Sequence, residues 1–452
     1  MSIIKKIIDY YKIDNSRLFT TPSHSLGSFI VPEAKEILGS KYFKADFSEI
    51  EGFDNLRDPK NTIKNLLGIL AGIYDTKATF ILTNGSTSGI LAAMFSLLQD
   101  GDKVLIARNC HISVYNGLVL TGACPVWFTP KYDSQWGIYK GVETEDIEKY
   151  FLQNEDIKAL VITSPTYEGL FSNIQDISKI CSKYKVKLVV DEAHGALLNF
   201  GKFKYKPAIQ LGADIAIQSL HKTAGAINPA ALLHISKTSD ISPECLQNAL
   251  NLINTTSPSY PLIADVEATV KYLNSKNGKS HINGLLKEIN DFTNSLPDSI
   301  RVYSGNNDPT KILLQFNDHN AMEVAEILNT KYRIEEEYST EKALLFITGI
   351  GTDKNKLNHL LTALKQILKT ISNKKDNWLS ACYLPKTLIE TKYLPRNAYK
   401  MPKTTIKKSE SEGKICGECI IKYPPGIPLL LPGEIIRKEH IQYIENDYIQ
   451  II

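Results

Sequence analysis

Between about residues 60 and 235 the chain alternates short apolar runs with longer amphipathic stretches. Residues 79–83 (Thr-Phe-Ile-Leu-Thr), 103–107, 159–163, 187–191 and 214–218 are five such runs, rich in β-branched side chains. A strand with one face in water alternates apolar and polar residues, whereas a run apolar at consecutive positions belongs to a sheet covered on both faces. The stretches between the runs, such as the apolar segment 90–98, supply those covers as helices. The pattern therefore predicts an α/β unit around a buried, mostly parallel sheet. In such sheets ligands sit beyond the carboxyl ends of the strands, where the loops begin.

The rhythm changes near residue 275. Residues 278–299 read as a polar helix, and 301–303, 311–316 and 343–348 read as strands around a helix at 320–332. A further helix spans 354–372, and Asn373-Lys-Lys-Asp-Asn follows as a candidate linker. The last segment holds Tyr423-Pro-Pro-Gly-Ile-Pro and Leu431-Pro-Gly-Glu434, a turn-rich run that excludes helix. Three parts are expected: 1–270, comprising an N-terminal segment and a large α/β domain, a small α+β domain at 271–375, and a C-terminal domain at 376–452. No internal repeat or low-complexity tract appears.

Composition narrows the class of protein. The 452 residues are 43% hydrophobic and 22% charged, which fits a folded chain with a large core. A net charge of +3, from 52 basic and 49 acidic residues, argues against nucleic-acid or membrane-surface partners. No stretch is long and apolar enough to span a bilayer, and the first residues read as a helix start without a signal core. Seven scattered cysteines suit reduced thiols and a cytoplasmic location. Cys416-Gly-Glu-Cys419 has zinc or redox spacing but lacks partners, so it is read as two thiols on a strand, with no metal expected.

Each predicted strand end carries chemistry. Asn84-Gly-Ser-Thr-Ser-Gly89 places glycines and hydroxyls where a strand turns into a helix, the arrangement of a phosphate cradle or of a plain N-cap. Arg108-Asn-Cys-His111, Ser164-Pro-Thr-Tyr-Glu-Gly169, Asp191-Glu-Ala-His194 and Ser219-Leu-His221-Lys222 close the next four strands. Asp-Glu-Ala-His also occurs in a helicase box, but that reading needs an upstream phosphate loop. The single Gly-Lys-Ser, at 278–280, lies downstream and has Leu273 in place of the first glycine. A phosphate cradle, a carboxylate and a lysine on neighbouring strands point instead to pyridoxal phosphate. That cofactor needs a lysine amine to hold it covalently, a phosphate site and an anion at its pyridine nitrogen. Lys222 and Asp191 fill the first and the last of these roles, with an interval between them that suits one helix and a returning strand. His111 is placed to stack on the ring.

Taken together these motifs resemble the fold-type I ornithine/lysine/arginine decarboxylases, in the short form without an N-terminal receiver-like domain. Asp46-Phe-Ser-Glu49 with Asp54-Asn-Leu56, Thr255-Thr-Ser-Pro-Ser-Tyr260 and the 423–428 turn add to the likeness, which covers nearly the whole chain. The resemblance implies a fold-type I pyridoxal-phosphate-dependent transferase-like architecture: α/β, with a mostly parallel central sheet, a small α+β domain and a C-terminal cap. It implies that Lys222 holds the cofactor and Asp191 faces its pyridine nitrogen. Ser86, Thr87, Ser88 and Ser219 would take the phosphate, while His111, His194 and His221 would line the site. It also implies a homodimer or higher homo-oligomer, and α-decarboxylation of a small basic amino acid to an amine, as in polyamine biosynthesis. Glu418, Asp46 and Glu49 are the candidates for the cationic tail of the substrate. Lys222 or His221 would donate the proton that replaces the carboxylate at Cα.

Three departures from the family pattern bear on substrate choice and activity: Ser23 and Ser25 beside His24, Arg57 after Leu56, and Asn228-Pro229 shortly after the lysine. Two rivals stand beside the decarboxylase. An aminotransferase of the same fold would want an arginine for the substrate carboxylate, for which Arg301 and Arg333 are available. A catalytically silent relative would bind cofactor and act through assembly.

Overall fold

The computed structural model describes residues 2–10, 12, 18–50, 53–371, 389–422 and 426–452. Helices α1 (Ile3–Tyr10), α2 (Pro32–Ala45) and α3 (Thr62–Tyr74) form the N-terminal segment. Strands and helices then alternate as β1 (Ala78–Leu82), α4 (Gly85–Leu97), β2 (Lys103–Ala107), α5 (Ile112–Thr121) and β3 (Cys124–Phe128). A hairpin of β4 (Tyr132–Asp133) and β5 (Ile138–Tyr139) leads to α6 (Thr144–Gln153), β6 (Ile157–Thr163), α7 (Ile174–Lys183) and β7 (Lys187–Asp191). The unit continues through β8 (Ile215–Ser219), α8 (Leu220–Thr223), β9 (Ala231–Ile235), α9 (Pro243–Ile253), α10 (Tyr260–Asn274) and α11 (Lys276–Asn294).

Seven strands form one sheet in the order β1-β9-β8-β7-β6-β2-β3. Strands β3, β2, β6, β7 and β8 pair parallel, so the mostly parallel sheet expected from the apolar runs is present. Alternate residues of one strand serve opposite faces. Val104 and Ile106 pack with α4, whereas Leu105 and Ala107 pack with α7 on the other side. Each such buried aliphatic side chain contributes about 1.5–3 kcal/mol.

Two features differ from the expectation. Strand β9 runs antiparallel to both β8 and β1, and its apolar sequence carries no mark of direction. Between β7 and β8 the chain forms turns and a short 3-10 helix at Ala208–Leu211 instead of an α-helix. Gly195, Gly201 and Pro207 interrupt that interval, and residues of this kind break helices.

The second sheet holds β10 (Ile300–Val302), β11 (Lys311–Phe316), β13 (Leu344–Ile347) and β12 (Tyr338–Ser339), in that order and antiparallel throughout. Helices α12 (Ala321–Tyr332) and α13 (Lys354–Thr370) cover one face. The C-terminal part comprises α14 (Pro395–Lys400), β14 (Thr404–Lys407), β15 (Ile420–Lys422), β16 (Ile427–Leu430), α15 (Lys438–Ile441) and β17 (Tyr448–Ile451). It is tied to the large domain by Arg396, which donates to Val119 O on α5 at 3.0 Å and to Asp100 before β2 at 2.7 Å. The linker candidate at 373–377 and the first three residues of the 423–428 turn lie outside the described residues. Cys416 and Cys419 do not share a strand. Cys416 forms an isolated bridge to Ile451 and its thiol donates to Glu418 O at 3.1 Å. Among the described residues no cluster of His, Cys, Asp and Glu suits a metal ion.

Candidate active site

The carboxyl ends of β1, β2, β6, β7 and β8 open into one cavity of about 350 Å³. Asn84, Gly85, Ser86 and Thr87 line it where β1 turns into α4. Gly85 has φ +76°, and a Cβ there would stand 3.4 Å from the Pro229 side chain, so glycine suits this turn. The α4 N-terminus presents its first N–H groups to the cavity, a setting for an anion. Ser86 and Thr87 are thus brought to the cavity, but Ser88 is not. Its buried hydroxyl donates to Gly85 O at 2.8 Å, inside its own turn.

Asp191 ends β7 against the cavity and accepts from the Ala193 N–H at 3.1 Å. The neighbouring Glu192 points to the far side, as strand alternation requires. There it accepts from Ala208 N and Gln218 Nε2, both at 2.7 Å, and burial pushes its carboxyl up to about 8. Lys222 enters on α8, where its Nζ lies 3.0 Å from His194 Nε2. Burial lowers the proton affinity of Lys222, and the negative charges of Asp191 and Glu337 oppose that effect. His194 is buried and held well below the usual histidine range, first by desolvation and then by the surrounding cations Lys311 and Lys222. With Lys222 donating to Nε2, the neutral ring carries its proton on Nδ1, which has no hydrogen-bond partner.

His111 caps α5 and lines the cavity, its Nδ1 accepting from Ser113 N at 3.2 Å. Burial lowers its proton affinity too, with Asp191 opposing. His221 donates through Nδ1 to Ala230 O at 3.1 Å and is lowered by burial. Ser219 is fully buried at the end of β8, and its hydroxyl has no partner. Thr163, at the end of β6, likewise has an unpartnered hydroxyl facing the cavity.

None of the three carboxylates expected to meet a substrate tail reaches this cavity. Asp46 pairs with His24 at 3.2 Å, and Glu49 accepts from Ser48 Oγ at 3.1 Å. Both sit on the segment that Phe47 clamps against Tyr260, with ring centroids 4.6 Å apart. Glu418 accepts from Gln450 N at 2.7 Å and lines a separate cavity of about 180 Å³ in the C-terminal part. Two other carboxylates line the main cavity instead, Glu168 and Glu337. Glu168 accepts from Thr166 Oγ1 at 3.1 Å and from Tyr338 Oη at 3.2 Å, and burial raises its carboxyl. Glu337 accepts from the Tyr167 hydroxyl. Glu168 stood in a recognised motif without a role. Glu337 is the last of three consecutive glutamates, a pattern that reads as a solvated face until the second sheet folds against the loop after β6.

Apolar walls come from Tyr139, Ile347 and Ile427. Of the departures, Asn228 and Pro229 line the cavity, whereas Arg57 is engaged with Asn251 O at 2.7 Å. Ser25 lies in the turn capped by His24, away from the cavity. Arg301 donates to Gln315 at 2.7 Å, and neither Arg301 nor Arg333 lines the cavity. The residues present fit pyridoxal phosphate. A helix N-terminus with two hydroxyls, the carboxylate of Asp191, the amine of Lys222 and the unpartnered buried hydroxyl of Thr163 all line the cavity, whereas Ser219 does not.

Comparison with known proteins agrees with this geometry. The family model described as the Orn/Lys/Arg decarboxylase major domain matches residues 2–304, and that of the C-terminal domain of the same family matches residues 378–451. An arginine decarboxylase of Bacillus anthracis is 29% identical over 442 residues, covering 95% of this chain and 89% of the relative. One from Bacillus subtilis is 29% identical over 439 residues, with 94% and 89% covered. The crystal structure of a Francisella novicida lysine decarboxylase superimposes with a TM-score of 0.85 at 22% identity, covering 100% of this chain and 81% of that one.

Proposed function

The chain belongs to the Orn/Lys/Arg decarboxylase family of pyridoxal-phosphate-dependent amino-acid decarboxylases, and from that premise we propose that its cavity decarboxylates arginine, lysine or ornithine to the corresponding amine. Arginine stands first, because the relatives at 29% identity over nearly the whole chain are named arginine decarboxylases. The observation that carries the reading is one cavity lined by Asp191, Lys222 and the α4 N-terminus together with two further carboxylates, Glu168 and Glu337.

Pyridoxal phosphate, when bound, supplies the electron sink for the pair released as the carboxylate bond breaks. Ser86, Thr87 and the α4 N–H groups would hold its phosphate, and Asp191 would supply the anion at its pyridine nitrogen. Lys222 would hold the cofactor through Nζ. His194, kept neutral by burial, accepts from that nitrogen and fixes where it stands. His111, which lines the cavity, would contact the cofactor. Glu337 and Glu168 receive the cationic tail of the substrate, a charge-assisted contact that a neutral tail would forgo. The side chains of Ile347 and Ile427 exclude water from the reacting carbon. Lys222 Nζ would deliver the proton that replaces the departing carboxylate at Cα, with His221 as the alternative donor.

The amine released would serve polyamine formation. A homodimer is part of the same proposal, supported by Phe19, Phe29 and Ile37, which stand 95%, 72% and 82% exposed on the N-terminal segment. The free thiols support a reducing, cytoplasmic setting, and among the described residues no helix is long and apolar enough to cross a membrane. Separate sheets and core clusters support the division of the chain near residues 270 and 375. Incubation of the purified protein with arginine, lysine and ornithine tests the activity. An amine product from any of the three upholds the assignment, and no product from all three refutes it.

A further inference from the structure

Glu168 and Glu337 are each held by a tyrosine from the opposite domain. Tyr167 and Glu168 are consecutive in the loop after β6, and Glu337 and Tyr338 are consecutive where the small domain enters β12. The Tyr167 hydroxyl donates to Glu337, and the Tyr338 hydroxyl donates to Glu168 Oε1 at 3.2 Å. The two tyrosine rings pack on each other, with centroids 5.7 Å apart and planes tilted by 43°. Each glutamate is also fixed from its own side. Glu168 Oε2 accepts from Thr166 Oγ1 at 3.1 Å, and the Glu337 N–H donates to Leu345 O at 2.8 Å. The loop after β6 is stitched to the small domain by Asp308 N donating to Gly169 O at 2.8 Å and Phe171 N donating to Asn306 O at 2.9 Å. Gly169 permits this approach: it has φ +97°, and a Cβ there would stand 2.6 Å from Lys311 Cγ. The exchange of hydroxyls therefore stands on a fixed frame.

We propose that Tyr167 and Tyr338 are positioning residues for substrate discrimination, holding the Glu337 and Glu168 carboxylates where the cationic tail of the substrate docks. Glu168, Glu337 and Tyr167 line the cavity, whereas Tyr338 does not and acts on it through Glu168. An ionised carboxylate has about four lone-pair sites, so a bond to one tyrosine leaves room for a cation. A glutamate free to rotate must give up that freedom when it binds a cation, and one already oriented has little left to lose. Glu337 is exposed and Glu168 is half-buried, so the outer carboxylate has more to gain from its tyrosine. Because each bond runs from one domain to the other, both carboxylates are aligned only while the loop and the small sheet stay together. Tyr167 has a second neighbour. Its ring meets that of His194 edge-on at 5.0 Å, and His194 Nε2 stands 3.0 Å from Lys222 Nζ. One side chain thus links the outer carboxylate to the histidine beside the lysine amine.

This inference rests on Glu168 and Glu337 receiving the tail, and its test reads binding apart from turnover. The full chain loaded with pyridoxal phosphate is titrated calorimetrically with the dications agmatine, cadaverine and putrescine, and with butylamine, which lacks the second cationic group. Tyr167→Phe and Tyr338→Phe keep the rings and remove one donor each. Each is expected to weaken the tightest-bound dication about tenfold, the loss of one hydrogen bond to a charged group, and to leave butylamine unchanged. Tyr338→Phe added to Glu168→Gln should cost nothing further, because its partner no longer attracts the tail. Equal losses for butylamine and the dication, or no loss in either variant, overturn the proposal. Should one variant fail to fold, the other decides alone by the same comparison. An unmodified protein that binds the dications no tighter than butylamine refutes the tail reading itself, and the proposal falls with it. Discrimination lost on removing the hydroxyls, in a protein that releases no amine from any amino acid, upholds the proposal and counts against decarboxylation instead.

Discussion

Removing the Glu434 carboxylate should loosen the C-terminal part from the active site. Arg108, in the loop that also carries Asn109 and His111, donates through Nη2 to both Glu434 oxygens at 3.0 and 3.3 Å and to Leu429 O at 3.2 Å. The side chains are 3% and 2% exposed, and the guanidinium lies over the Trp127 ring at 5.3 Å. Glu434 also accepts from Leu431 N at 2.7 Å. In Glu434→Ala the Arg108 charge stays buried without its carboxylate and the Leu431 N–H loses its acceptor. Breaking one side of a buried pair costs about 3–5 kcal/mol. The double variant Arg108→Met with Glu434→Leu removes both charges and should recover most of that loss. The consequence extends to function, because Ile112 N donates to Gly426 O at 3.3 Å and Ile427 lines the cavity. Urea unfolding followed by tryptophan fluorescence measures the stability change, and KM reports the cavity wall. A loss below about 1 kcal/mol in Glu434→Ala, the range of an exposed pair, would refute the reasoning.

Three further expectations concern other residues. Glu337→Gln should raise KM for a basic substrate by about 10- to 100-fold with a smaller change in kcat, the loss of one charged contact, and steady-state kinetics with each amino acid checks this. Asp191→Asn should lower kcat at least about 100-fold while secondary structure is kept, and circular dichroism alongside kinetics separates that from misfolding. His234 is buried with Thr79 Oγ1 2.9 Å from its Nδ1, and burial pushes its proton affinity down to about 3 from 6.5. Between those values the unfolded chain binds the proton and the folded one does not. The stabilisation is therefore complete above pH 6.5 and falls by about 1.4 kcal/mol per pH unit as the pH drops toward 3. His234→Gln should flatten that slope in acid unfolding, and an unchanged slope would count against it.

The parts of this site that lie close in sequence to a strand end were legible before folding. Asp191, Lys222, His111 and the turn at 84–87 each follow an apolar run, and a parallel sheet must bring such ends together. Ser88 was misplaced because helix phase decides which of three consecutive hydroxyls faces out, and a one-residue difference turns a side chain by about 100°. The carboxylates that line the cavity were missed for a different reason. Glu337 reaches the cavity only through the packing of the small sheet, and nothing local distinguishes it from Glu335 or Glu336. Strand β9 shows the same limit, since its five buried residues, four of them aliphatic, read the same whichever way it runs.

Removal of the α-carboxylate of a basic amino acid in this cavity is tested most directly with arginine, lysine and ornithine carrying ¹³C in the carboxyl group, in deuterated water. Labelled carbon dioxide and the matching amine are expected in equal amounts from at least one of them. One solvent deuterium should sit on the carbon that lost the carboxylate, and Lys222→Ala should abolish the reaction. Formation of an oxo acid that keeps the label, or no reaction with any of the three, would contradict it.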